Sequence, residues 1–420
     1  MRVIGIVAEF NPFHRGHENL ITRAREIVND PRAIVMPVIS ESFVQRGLPA
    51  LVPSDVRAMQ ALRCGADVVL GLPFTYSCAP SARFALGGIA TLLMTGVVTD
   101  IAFGYDAGTP ELLDKLAGQI DEGSPIFKEN LKEALASGKS YPASRAAAIK
   151  ATINDDSAET DEVLRSPNSI LALEYLAALK KIDKRHKVNV IMIPRDRSLT
   201  SATSLRGDIA GLAPAYSQSA LYSTLKDKMP DRALASMLGS YSAGGFRFPD
   251  YPSYIRHALL HLAGTSGSSV DVSSFAYMGD DLDGYLRNLI SGLRPGDLPR
   301  DDYSLEAFAA KADTKRFTLT RICRALASFE SGQEKELVTL NHPPYIRVLG
   351  FNREGRYCLK IIGKCTKLPV ISNPSDALEL CSSNEELRKV FELEMRASAI
   401  ANDLYGRDIS YAWTQKPVMI

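Results

Sequence analysis

Five short runs rich in aliphatic and β-branched residues, separated by stretches of helical periodicity, constrain the fold of this chain more than any other feature of its sequence. The runs are Arg2 to Ala8, Ala33 to Ile39, Asp67 to Leu70, Val98 to Phe103 and Val188 to Ile193. Between them, helices are expected from His17 to Val28, Ser54 to Cys64, Pro80 to Leu93 and Asn168 to Lys181. Strands that alternate with helices build a parallel sheet, because each parallel strand needs a long crossover before the next can pair. The expectation is an α/β fold with a Rossmann-like parallel sheet of about five strands, binding ligands beyond the carboxyl ends of those strands.

At 420 residues the chain is longer than one hydrophobic core usually supports, so more than one domain is expected. We place the sheet domain at 1–210 and a mixed, mainly helical C-terminal domain at 211–420. The second half reads as helical at Ser217 to Leu238 and Ser304 to Ser328, β-rich from Tyr345 to Ile371, and helical again from Asn384 to Tyr405. The stretch Gly138 to Ser166 reads as an exposed connection, and Ser291 to Pro299 as a hinge.

The formal net charge of +1 predicts no polyanion partner from overall charge, so any RNA contact must come from a local patch. The cysteines Cys64, Cys78, Cys323, Cys358, Cys365 and Cys381 form no CxxC pair and no zinc-spaced set, and read as reduced thiols. No metal-ligand set is expected from the protein itself. The N-terminal apolar run is short for a signal peptide, and no stretch of about 18 apolar residues follows, which points to a cytoplasmic protein without membrane spans.

The strongest local signal is Asn11-Pro12-Phe13-His14-Arg15-Gly16-His17, between the first strand and the first helix. A helix start offers unpaired N–H groups and a partial positive charge, which together favour phosphate. Gly16 lets the backbone approach a phosphate where a Cβ would obstruct it. His14 and His17 then suit hydrogen bonding to phosphate oxygens and stabilisation of the charge that builds as pyrophosphate leaves. An isolated pair of histidines is more often surface or core furniture; the strand, turn and helix context favours the functional reading. A second signal, Ser201-Ala202-Thr203-Ser204-Leu205-Arg206, follows the last sheet strand. Its hydroxyls and Arg206 suit a second phosphate cradle, the alternative being an ordinary Ser/Thr helix cap.

With these segments in view, the chain resembles the nucleotidyltransferase superfamily and, more narrowly, the bacterial tRNA(Met) cytidine acetate ligase family. The resemblance is carried by Glu9 to His17, Phe43-Val44-Gln45-Arg46-Gly47, Leu72-Pro73-Phe74, Phe103-Gly104, Ser166-Pro167-Asn168 and Ser201-Ala202-Thr203. It extends to Thr314 to Thr318, Arg321 and Tyr345 to Asn352, and so covers nearly the whole chain. The resemblance implies that acetate attacks the α-phosphate of ATP, giving acetyl-adenylate and pyrophosphate, and that the acetyl group passes to N4 of the wobble cytidine of elongator tRNA(Met). It places nucleotide binding on the stretch Val7 to Leu20, with Val7, Glu9, Asn11, Gly16 and Leu20, and on Gly104, Asn168 and Arg195, with Arg197 two residues on. Ser201 and Thr203 join this set; His14, His17 and Arg206 are the expected catalytic groups. Magnesium is expected to bridge the triphosphate, held largely by the nucleotide.

Where the family reads SGNFVQRG, this chain has Ser40-Glu41-Ser42-Phe43-Val44-Gln45-Arg46-Gly47, and where the family reads FGSE it has Phe103-Gly104-Tyr105-Asp106. These changes sit at expected strand ends and bear on the acyl substrate. For RNA, the segment Lys311 to Arg324 holds Lys311, Lys315, Arg316, Arg321 and Arg324 against Asp313, with Phe317 among them. Lys315, Arg316, Arg321 and Arg324 are the expected phosphate contacts, with Phe317 able to stack on a base or else lie in the core. Two other readings stand beside the ligase. A small-molecule nucleotidyltransferase explains the histidine loop but not the C-terminal half, and a non-catalytic ATP- or RNA-binding module does not need both histidines and Arg206.

Overall fold

The computed structural model describes residues 1–420 except 120–123, 139–140, 186, 214, 266–268, 293–305 and 315. The five expected strands form as β1 (Val3–Ala8), β2 (Ile34–Ser40), β3 (Val68–Leu72), β4 (Asp100–Tyr105) and β5 (Asn189–Pro194). Neighbours among them run parallel. β1 to β3 are buried along almost their whole length, as strands covered on both faces require.

The sheet is larger than expected, because the second half of the chain adds to it. β6 (Ile346–Phe351) pairs antiparallel with β3, and β7 (Val370–Ile371) and β8 (Val418–Met419) pair with β6. The order is β5-β4-β1-β2-β3-β6-β7, with β8 on β6. β1 lies between β2 and β4, so the chain winds outward in opposite directions from β1 and leaves a crevice at the carboxyl ends of β1 and β4.

Helices cover both faces. Arg15–Val28 and Ser54–Arg63 pack on one, where Ile4, Ile6, Val35 and Ile39 enter a core that continues through the helices of the second half to Phe391. Ser81–Met94, Pro167–Ile182 and Arg353–Cys365 pack on the other, over Val3, Val7, Met36, Val38 and Leu70.

Several local readings need correction. The stretch from Gly138 to Ser166 is not a plain loop; it contains helices Tyr141–Ile153 and Ala158–Arg165, which bury Ala148, Ile149 and Val163. Ser157 caps the second of these, its hydroxyl accepting from the Thr160 N–H at 3.2 Å. The helical segment Ser217 to Leu238 is two helices, Gln218–Leu225 and Asp231–Ser242, parted at Pro230, which supplies no amide hydrogen. Nearly half of the expected β-rich stretch Tyr345 to Ile371 is the helix Arg353–Cys365. Its aromatic and β-branched residues misled, whereas Gly355, Cys358 and Ile362 are buried at helical spacing. The hinge candidate Ser291 to Pro299 lies mostly outside the described residues. Among the described residues no helix is long and apolar enough to cross a membrane.

Candidate active site

The crevice beside β1 holds a cavity of about 640 Å3, a size suited to a nucleotide-sized ligand. Val7, Glu9, Asn11, His14, Gly16, His17 and Leu20 line it from β1 and the first helix. Gly104 lines it from β4, Asn168 from the start of Pro167–Ile182, and Arg195, Ser201, Thr203 and Arg206 from the segment after β5. Residues separated by almost two hundred positions therefore meet in one place, where the parallel strands end.

The turn after β1 is locally strained: Phe10 has φ of 50°, a left-handed conformation that a bulky side chain enters only when its surroundings hold it there. Phe10 packs edge-on against Phe13 and His17, both at 4.9 Å between ring centroids. His14 caps the helix Arg15–Val28. Its Nδ1 accepts from the Gly16 N–H at 3.0 Å, and His17 Nδ1 accepts from the His14 N–H at 3.2 Å. Both rings therefore carry their hydrogen on Nε2, the tautomer fixed by the bond at the other nitrogen. The rings stack with centroids 3.7 Å apart, presenting two neutral N–H donors side by side. Burial pushes the His14 pKa down to about 3, with the positive fields of Arg195 and Arg206 adding to it. Burial also holds His17 well below its ordinary range, with His14, Arg195 and Arg206 acting in the same direction.

Gly16 has a reason the sequence did not reveal. A Cβ there would lie 2.8 Å from His14 Cε1 and 3.0 Å from its Nδ1, so any side chain would displace the ring.

Arg206, on the helix Ala202–Ala210, ties that helix to the loop after β1. Its Nη1 donates to the Asn11 carbonyl at 2.8 Å and its Nη2 to Thr203 Oγ1 at 3.0 Å. Ser201 caps its helix, accepting from the Ser204 N–H at 3.1 Å while lining the cavity, so the cap reading and the cradle reading describe one residue. Asn11 is buried, and its side-chain oxygen accepts from the Leu51 N–H at 2.7 Å, which makes it a tie between loops.

The sequence departures separate. Asp106 lines the cavity, accepts from the Asn168 Nδ2 at 3.1 Å and sits 3.5 Å from Arg195 Nη1. Arg197 instead donates to the Asp106 carbonyl and pairs with Glu162, so of these two arginines it is Arg195 that lines the cavity. Glu41 is buried at the end of β2 and is not among the residues that line the cavity. Gln45 and Arg46, quoted in the Phe43 to Gly47 motif without a role, do line it. The Gln45 N–H donates to Glu9 Oε1 at 2.7 Å.

The expected RNA segment looks different in three dimensions. Arg324 is drawn into the interior, where its Nη1 donates to the Gln45 carbonyl at 3.3 Å, so its guanidinium braces the cavity loop instead of facing a phosphate. Arg316 donates to the Asp280 carbonyl and pairs with Asp281, and Arg321 pairs with Asp280. Phe317 is buried with both guanidinium groups over its ring and has no free face for a base. Lys315 lies outside the described residues.

Among the described residues no group of three or more His, Cys, Asp and Glu side chains is placed to hold a metal ion.

Comparison with known proteins places these features in a family. Residues 1–415 match the model of the HIGH Nucleotidyl Transferase family. A tRNA(Met) cytidine acetate ligase from Fervidobacterium nodosum is 33% identical over 380 residues, spanning 89% of this chain and 84% of the relative. A protein of the same name from Kosmotoga olearia is 31% identical over 428 residues, spanning 97% and 94%. The crystal structure of Thermotoga maritima TmcAL bound with alpha-thio ATP superposes with a TM-score of 0.85 at 26% identity, covering 100% of this chain and 99% of that one.

Proposed function

Since this chain belongs to the HIGH nucleotidyl transferase family and, within it, to the tRNA(Met) cytidine acetate ligases, we propose that it activates acetate with ATP and acetylates N4 of the wobble cytidine of elongator tRNA(Met). The observation that carries the reading is the meeting of His14, His17 and Arg206 in one cavity with the other nucleotide-binding candidates.

In the first step an acetate oxygen bonds to the α-phosphorus of ATP and the bond to the β-phosphate oxygen breaks, releasing pyrophosphate. His14 and His17 donate from Nε2 to phosphate oxygens as negative charge gathers on the leaving group. They do so as neutral donors held by Gly16 and by each other, so no reorganisation is needed at the moment of transfer. Arg206, tied to the loop after β1, adds a fixed positive charge, and Arg195 adds a second from the end of β5. The helix Arg15–Val28 starts at the cavity and directs the positive end of its dipole there, its first N–H groups being taken by His14 and Lys228. Gly104 leaves the floor open, since a Cβ there would meet only the Ile193 carbonyl, at 3.7 Å. Asp106 orients Asn168 through the side-chain amide. In the second step the cytidine amine attacks the acetyl carbon, AMP departs with the bonding pair, and the amine proton is lost. A protein with this substrate works in the cytoplasm.

ATP–pyrophosphate exchange by the purified protein, with and without acetate and beside His17→Ala, tests the first step. Acetate-dependent exchange that vanishes in the variant supports the reading, and absence of exchange with acetate removes it. Transfer of labelled acetate to elongator tRNA(Met) tests the second.

A further inference from the structure

The helix Arg353–Cys365 and the residues just after it present an unusual face. Arg353, Arg356, Lys360, Lys364 and Lys367 are exposed, and Tyr357 among them is 65% exposed. The spacing of three or four residues puts the four helical cations on one side, opposite Gly355, Cys358 and Ile362, which are buried on the sheet. From Arg353 to Lys364 the row extends about 16 Å along the helix axis.

Between Arg353 and Lys367 the single acid is Glu354. Among the described residues, none of the five cations makes a side-chain hydrogen bond or ion pair. Some exposed cations elsewhere take an acidic neighbour, such as Arg23 with Glu26, Arg165 with Asp161, Arg388 with Glu392 and Lys389 with Glu336, and others, such as Arg32, Lys128 and Lys226, stand alone among the described residues; what sets this segment apart is five in one row with a single acid among them. In a chain whose charges balance to +1, an unpaired basic row is a local concentration of positive field.

The row is also rigidly mounted. Asn352 caps the helix, its Oδ1 accepting from the Gly355 N–H and its Nδ2 donating to Asp67 Oδ1, both at 2.8 Å. Asp67 is in turn held by Arg25 at 2.6 Å and the Val35 N–H at 2.8 Å. Gly355 packs so close to the start of β3 that a Cβ would lie 1.9 Å from the Asp67 carbonyl oxygen. This helix shares its sheet face with Pro167–Ile182, whose first turn lines the cavity. It covers β2, β3 and β6, and β6 is three strands from β1, about 14 Å across the sheet.

We propose that this face, Arg353, Arg356, Lys360, Lys364 and Lys367 with Tyr357, is a docking surface for the phosphate backbone of the substrate tRNA, outside the catalytic cavity. The inference rests on the tRNA reading above. A linear array of unpaired cations matches the linear array of phosphates in an RNA strand, and an exposed tyrosine offers a stacking or ribose contact. The face grips RNA without reading its sequence, while the cavity acts on one base.

The test is tRNA binding as a function of salt, comparing the wild-type protein with a variant carrying Arg353→Gln, Arg356→Gln, Lys360→Gln and Lys364→Gln. A charge-matched control carries Arg23→Gln, Arg165→Gln, Arg388→Gln and Lys389→Gln. Each phosphate contact contributes roughly 0.7–0.9 to the slope of log affinity against log salt. The face variant is expected to bind at least about tenfold more weakly with a slope lower by about 3, to keep wild-type ATP–pyrophosphate exchange and melting temperature, and to differ from the control. Equal binding by variant and wild type, or equal losses in variant and control, overturns the proposal. A wild-type protein that exchanges pyrophosphate but binds no tRNA overturns the tRNA reading itself, an outcome visible without any variant.

Discussion

Arg206 donates through Nη1 to the main-chain carbonyl of Asn11 at 2.8 Å, fastening the end of the nucleotidyltransferase loop to a helix 195 positions later. The guanidinium also reaches Thr203 on its own helix, so one planar group ties that helix to the loop and leaves its charge at the cavity wall. A lysine has one donor centre and cannot hold both bonds in that geometry. Arg206→Lys is therefore expected to lower kcat for acetate-dependent exchange by about 10²–10³, the usual cost of losing one transition-state donor. A kcat within a factor of two or three of wild type would place Arg206 outside the reaction.

The two histidines have an acid signature. Their folded pKa values lie below the unfolded value, about 3 for His14 and well below the ordinary range for His17. The unfolded chain therefore takes up protons as pH falls through about 6.5 while the folded chain does not, and stability drops by up to about 1.4 kcal/mol per pH unit for each histidine. His17→Gln removes one of these contributions. The stability advantage of the wild type over His17→Gln should shrink from pH 7 to pH 5, measured by urea unfolding; an advantage that is constant with pH contradicts neutral burial of His17.

Gly16→Ala isolates the positioning of His14. The added methyl would meet the His14 ring at 2.8 Å, while the backbone at Gly16 is ordinary helix and tolerates alanine. The expected result is a loss of exchange activity of about 10²-fold with a melting temperature within a few degrees of wild type. Full activity would mean that the ring has another place to sit.

The strands and the histidine loop were legible in the sequence because each depends on local pattern: β-branched runs, a turn, a helix start; Gly104, Asn168 and Arg195 were implied by the family resemblance alone, and they line the same cavity as the loop. The additions to the sheet were not, since β6 reaches β3 across more than 270 positions and nothing local records that pairing. The helix Arg353–Cys365 was hidden by residues of high β-propensity, although its burial period is helical. Arg324 misled for a similar reason. Composition counts charge, but whether a guanidinium points outward or braces a loop is decided by tertiary packing.

That brace makes its own prediction. Gly47, with φ of +82°, lies so close to Cys323 and Arg324 that a Cβ would come within 2.2 Å of the Arg324 nitrogen, and Arg324 donates to the carbonyl of Gln45. Gln45 in turn holds Glu9 at the cavity. Arg324→Gln should loosen this loop and raise KM for ATP by roughly tenfold, about 1.4 kcal/mol, with a smaller effect on kcat. A change confined to tRNA affinity, with KM for ATP intact, would return Arg324 to the RNA surface.

Glu41 and Glu394 form a buried acidic pair behind the cavity. Glu394 accepts from Ser42 Oγ at 2.9 Å and Ser398 Oγ at 3.0 Å, whereas Glu41 Oε1 has no hydrogen-bond partner among the described residues and Oε2 lies 3.7 Å from Arg347 Nε. Burial raises Glu41 to about 7, opposed by Arg347 and Arg57, and raises Glu394 well above the ordinary carboxylate range. A folded pKa above the unfolded one means that the folded protein keeps a proton the unfolded chain has released. The associated stability is present below about pH 4.5 and is lost as pH rises through about 7. Glutamine at 41 keeps the shape and cannot ionise. Glu41→Gln should match the wild type near pH 5 and exceed it by about 2 kcal/mol at pH 8, the opposite trend to the histidines, with exchange activity retained because Glu41 lies outside the cavity wall. A stability difference that does not change with pH would show that Glu41 is ionised throughout, held by Arg347.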